Sequence, residues 1–88
     1  RLVIHKMPTV LRHHGLRVMI FPPQREHGPP HVHVFDGDSE VVVRIPPDTE
    51  RSVVVRAVAA RPNQIARACW LVEDHRQYLM TCWREIHD

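Results

Sequence analysis

The stretch Gly28-Pro29-Pro30-His31-Val32-His33-Val34-Phe35-Asp36-Gly37-Asp38-Ser39-Glu40-Val41-Val42-Val43-Arg44-Ile45 decides the fold. Two runs of β-branched and alternating residues flank Asp36-Gly37-Asp38-Ser39, a cluster of turn formers, which predicts a β-hairpin. Its strands are expected over 31–35 and 40–45, with Asp36-Gly37 or Gly37-Asp38 at the turn centre. Side chains on a strand alternate between faces. Val32, Val34, Val41 and Val43 therefore share a core face. His31, His33, Phe35, Glu40, Val42 and Arg44 share the opposite one.

Upstream, residues 9–13 and 16–21 predict a second hairpin, turned by His14-Gly15 with His13 opposite Leu16. That register puts Leu11, Leu16, Val18 and Ile20 on one face. Val10, Arg12, Arg17, Met19 and Phe21 fall on the other. Pro22-Pro23 ends the strand, and a proline-stiffened loop leads to the quoted segment. Downstream, Pro46-Pro47 stops the hairpin, and the β-branched run 52–56 (Ser-Val-Val-Val-Arg) is counted as a fourth strand. Residues 57–60 read equally as strand end or early helix. From 63 to 86, Ile65, Ala68, Cys69, Val72, Leu79, Trp83 and Ile86 repeat at helical spacing, so one long amphipathic helix is expected. The expected fold class is α+β, in the order β-β-β-β-α. It is an antiparallel sheet of about four strands (two hairpins) packed on one long C-terminal helix.

The chain has 88 residues, 43% of them apolar and 25% charged, which excludes disordered, collagen-like and coiled-coil classes. Residues 7–88 are expected to form one small domain, with residues 1–6 an N-terminal extension or remnant. No apolar run nears the ~20 residues of a membrane span, and no secretory leader is legible. Cys69 and Cys82 lie about 20 Å apart on the expected helix, out of disulfide reach. Two unpaired thiols point to the reducing cytoplasm. The net charge of +2 is too small to imply nucleic acid alone, but eleven of the twelve basic residues are arginines and there are eight histidines.

The densest chemistry lies around His31-Val32-His33, whose imidazoles leave one side of a strand and can converge on one ligand. Three functional readings compete with a plain solvent-facing histidine pair. In the first, His31, His33 and His27 or Glu26 hold a divalent transition metal (zinc, nickel or manganese). In the second, His31 and His33 act as acid and base on a phosphodiester, with Arg44 and Arg17 holding the phosphate. In the third, the His/Arg face, with Arg12, Arg17 and Arg44, is a non-catalytic surface for a partner protein, RNA or DNA. Trp70, on the polar side of the helix, is the expected protein contact. An exposed edge strand and Trp70 also suit a homodimer.

Met7-Pro8-Thr9-Val10-Leu11-Arg12, Gly15, Pro29-Pro30-His31-Val32-His33-Val34, Leu71-Val72-Glu73, His75-Arg76, Leu79 and Trp83 resemble a widespread family of small bacterial proteins, domain of unknown function 4160. The resemblance runs from Met7 to Trp83. The family usually carries an acidic residue shortly before the Pro-Pro pair, and Glu26 matches it, although Gly28 stands immediately before that pair here. The segment 46–61 is variable in the family. Members have no established activity. The resemblance implies one component of a toxin–antitoxin-like or regulatory gene pair, binding a neighbouring gene's product or nucleic acid. The hairpin followed by a helix is also similar to small mRNA-cleaving toxins, which implies, as the alternative, an endoribonuclease, metal-free or metal-dependent.

Overall fold

A computed structural model of the protein describes residues 9–23 and 26–87. Its elements are β1 (Thr9–His13), β2 (Leu16–Met19), β3 (His31–Asp36), β4 (Ser39–Arg44), β5 (Val53–Val58), α1 (Pro62–Asp74) and α2 (Arg76–His87). The expected extension at 1–6 and the domain start at 7 lie outside the described residues. The five strands form one antiparallel sheet in the order β1-β2-β3-β4-β5. Four strands was one too few. The two hairpins supply four, and the β-branched run pairs along β4 as a fifth.

Turn chemistry sets both hairpin registers. His14 and Gly15 take φ of 49° and 81°, the pair of positive values a two-residue hairpin turn needs. His13 duly pairs with Leu16, and Arg12 with Arg17. The register slips between Thr9 and Leu11. That slip lets both Val10 and Leu11 pack against the core, where strict alternation assigns only Leu11. In the second hairpin Asp36 pairs with Ser39, so Gly37-Asp38 is the turn centre, with Gly37 at φ 61°. β2 ends at Met19 and not at Phe21, ahead of the two prolines.

The core lies between one sheet face and the helices. Val18, Ile20, Val32, Val34, Val41 and Val43 from the sheet meet Ala68, Leu71, Val72, Leu79, Cys82 and Trp83. Pro62 opens α1 at its first turn, where its missing N–H costs nothing. The Gln64 side chain accepts the Arg61 N–H at 2.8 Å.

The single long helix is in fact two, broken at His75 (φ −117°, ψ 24°). The His75 ring donates from Nδ1 to the Leu71 carbonyl at 2.9 Å, and its backbone N–H is shared between Leu71 and Val72. Arg76 Nε donates to the Glu73 carbonyl at 3.1 Å. Side chains thus draw on carbonyls that would otherwise serve the helical ladder. The Arg76 guanidinium also binds the carbonyls of Pro47, Asp48 and Glu50, tying the break to the loop before β5. The apolar seam continues across the break, through Val72 and Leu79, so periodicity alone does not report it.

Residues 57–60 divide: Ala57 and Val58 finish β5, and Ala59 turns with φ 53°. Glu73 on α1 accepts both the backbone N–H (2.8 Å) and the hydroxyl (2.9 Å) of Ser52, fixing the approach to β5. Cys69 and Cys82 are both free. Among the described residues no helix is long and apolar enough to cross a membrane.

Candidate metal centre

Strand alternation sends His31 and His33 to the face opposite the main core, beside Phe35, Glu40, Val42 and Arg44. His31 pairs directly with Arg44, and His33 with Val42. The loop before β3 supplies the third member. Glu26 N–H donates to the Pro22 carbonyl at 3.1 Å, and Ile45 N–H to the Pro30 carbonyl at 3.0 Å, pinning the start of β3. Between them Gly28 takes φ 91°, a value that favours glycine, and the chain doubles back. Glu26 is carried over the two imidazoles.

The contacts converge on one point. Glu26 Oε1 lies 2.9 Å from His31 Nε2 and 2.8 Å from His33 Nε2, and Oε2 lies 2.9 Å from His33 Nε2. One ligand atom from each of the three residues falls within 4.8 Å of the others. The far side of each ring is also held. His31 Nδ1 donates to the Pro29 carbonyl at 2.9 Å, and His33 Nδ1 meets Glu40 Oε2 at 2.7 Å. Arg56 closes the chain with a 3.4 Å contact to the same Glu40 oxygen.

A carbonyl oxygen only accepts, so His31 Nδ1 carries a hydrogen. In a neutral ring that leaves a lone pair on Nε2, facing a carboxylate oxygen. Either a proton or a cation must lie between them. His33 has carboxylates at both nitrogens and makes the same demand. Burial pushes the Glu26 carboxyl up, but His33, by hydrogen bond and charge, and then His31 outweigh it. Its pKa lies below the ordinary value, and the group is held as an anion.

The donor set suits a borderline transition ion. Two imidazoles and a carboxylate with further positions open are a recurrent catalytic metal set, and oxygen partners on the non-ligating ring nitrogens orient such ligands. A tetrahedral ion with bonds of about 2.1 Å separates its ligand atoms by about 3.4 Å. The 2.8 and 2.9 Å contacts would open by roughly half an ångström to admit it, and the widest of the three ligand pairs, within 4.8 Å, would close toward the same separation.

A cavity of about 350 Å³ adjoins the cluster, walled also by His27, Pro29, Val42, Arg44, Val55 and Arg56. The surroundings are drier than an open sheet face predicts. His33 is only 4% exposed and Val42 5%. The Phe21 ring stands edge-on to His33 at 4.7 Å. The expectation that both rings leave the helix layer behind needs correction at His31, whose ring lies 5.2 Å from that of Trp83 on α2.

Of the remaining candidates, His27 is exposed and walls the cavity but stays outside the three converging ligands. Arg44 is exposed at the cavity wall. Arg12 and Arg17 do not reach that cavity. They share a separate hollow with Phe35, Gly15 and Gly37, and the Arg17 guanidinium sits 5.4 Å above the Phe35 ring. Trp70 is 60% exposed on α1, beside His13 and His14. Glu40 and Arg56 were not singled out from sequence. Glu40 was legible as a same-face neighbour of His33. Arg56 was not, because its place opposite Val42 follows from the fifth strand and an irregularity at Val42/Val43.

The family model described as a domain of unknown function matches residues 15–84. No curated protein and no solved structure gives a significant match. The match starts later than the resemblance read from Met7, but it spans both cluster histidines, Glu26, Glu40 and nearly all of both helices. On this match the chain belongs to the DUF4160 family.

Proposed function

We propose that Glu26, His31 and His33 form a divalent transition-metal centre of a small hydrolase acting on a phosphodiester, RNA being the substrate class. One observation carries the reading: three ligand atoms converge while both histidines are oriented from behind by Pro29 and Glu40. A bound ion of this class supplies Lewis acidity and an activated water. The chain supplies the rest. Arg44 at the cavity wall offers a planar fork to a phosphate. Val42 and Val55 give the cavity an apolar wall beside the cluster. Arg12, Arg17 and Phe35 offer cations and a ring to a strand crossing the same sheet face.

The test pairs metal analysis with cleavage. Untagged protein should carry near-stoichiometric zinc, nickel or manganese, or take one up on titration. A fluorogenic RNA oligonucleotide should be cut by the loaded protein and not by His31→Ala/His33→Ala. Cleavage that survives chelation would favour the metal-free acid–base reading, and absence of metal uptake would remove the centre.

A second reading is supported by the exposed valines of β5. It is a binding component of a toxin–antitoxin-like or regulatory pair. The unlinked thiols of Cys69 and Cys82 suit a cytoplasmic setting for either.

A further inference from the structure

The two edges of the sheet are treated differently. β1 carries Arg12 and His13, its register slips near its start, and its Val10 carbonyl accepts the Tyr78 hydroxyl at 2.6 Å. Charge, irregularity and a covering side chain all discourage strand addition. β5 also carries one charge, Arg56, and a register shift against Val42/Val43, but among the described residues no side-chain hydrogen bond like that of Tyr78 covers it. All six of its residues are exposed, with Val53 at 53%, Val55 at 59% and Val58 at 48%. β4 takes one side of its backbone, and among the described residues no strand takes the other.

Long, apolar, unpaired edges pair with further strands. The charges nearby select among occupants. Arg51 and Arg61 flank β5 and are exposed, and Arg44 stands opposite Val53. The one charge within the strand, Arg56, is only partly offset by Glu40 at 3.4 Å. A second copy aligned on this edge would bring like charges together, which opposes pairing. A segment alternating apolar and acidic residues would cover the valines and meet the arginines.

We propose that the outer edge of β5 is a docking site for an extended acidic segment of a partner protein, which adds as a sixth strand about 20 Å long. The docking deepens the binding reading of β5, needs no metal and is independent of the hydrolase reading.

The test uses the full metal-free chain and two labelled heptapeptides, one alternating valine with glutamate and one alternating valine with lysine. Anisotropy should show the glutamate peptide binding at least about tenfold tighter at low salt, with the margin shrinking as salt rises. Amide exchange should slow in β5 and not in β1. Arg51→Glu/Arg61→Glu should invert the preference, and its circular dichroism and melting report whether it is folded. Equal binding of both peptides, no binding of either, or protection away from β5 would overturn the proposal. So would self-association of the bare chain that protects β5, which would assign the edge to a second copy.

Discussion

His33 Nδ1 and Glu40 Oε2 are 2.7 Å apart, closer than any other polar pair in the cluster. The contact fixes the ring from behind and aims Nε2 at Glu26. Outer partners of this kind are worth about 10–100-fold in metal affinity. Glu40→Ala should therefore weaken zinc binding by that factor while leaving the three proposed ligands in place. Competition against a chromophoric chelator measures it. An unchanged affinity would mean that Glu40 does not orient the site.

Trp83 gives the site its own reporter. Its ring lies 5.2 Å from His31 and stacks on His87 at 3.6 Å. Trp70, the other tryptophan, sits beside His13 and His14 on the exposed side of α1. In Trp70→Phe, nickel or copper should quench the remaining emission saturably, with one ion per chain. Adding His31→Ala should abolish that response. Metal should also raise the melting temperature, since an ion at 100 times its Kd adds about 2.7 kcal/mol to the folded state. Quenching without saturation would indicate collisional contact only.

The acid limb of stability should report on Ser52 and Glu73. The Ser52 backbone N–H, then its hydroxyl, hold the Glu73 carboxyl below its ordinary value of 4.5. A carboxylate depressed on folding stabilises the folded state above the unfolded pKa. That contribution fades as pH falls through the folded pKa. Glu73→Gln should thus be less stable than the parent near neutrality, and the gap should close below about pH 4. Melting curves between pH 7 and 3 measure it. A gap that stays constant would show that the Glu73 charge plays no part in fixing β5.

Alternation and turn chemistry were legible in advance. Val32, Val34, Val41 and Val43 lie inside, and His31 and His33 share the other face, because a two-residue period tolerates no other assignment once the Asp36–Ser39 turn is set. The position of Glu26 was legible only as a candidate. Its side chain reaches both imidazoles through the bond from its N–H to Pro22 and the positive φ of Gly28, and no period describes either. The break at His75 was hidden for the opposite reason. The apolar repeat is satisfied on both sides of it, while the interruption comes from the His75 and Arg76 side chains bonding backbone carbonyls. Arg56 reached the site only through β5, whose register shifts at Val42/Val43.

Gly28 joins this loop geometry to function. A Cβ added there would meet no atom within 4 Å, so an alanine would clash with nothing. Its φ of 91° is nevertheless strained for any L side chain. Gly28→Ala should then cost about 1 kcal/mol or more through the backbone alone. The loop can relieve that strain by letting Glu26 swing off the histidines. Gly28→Ala should consequently lose much of its zinc affinity, while Gly28→Asn, which tolerates positive φ better, should keep more of it. Chemical denaturation and zinc titration of the two variants separate the effects. Equal zinc affinity in both would mean that Glu26 is placed by its contacts with the imidazoles and not by the turn.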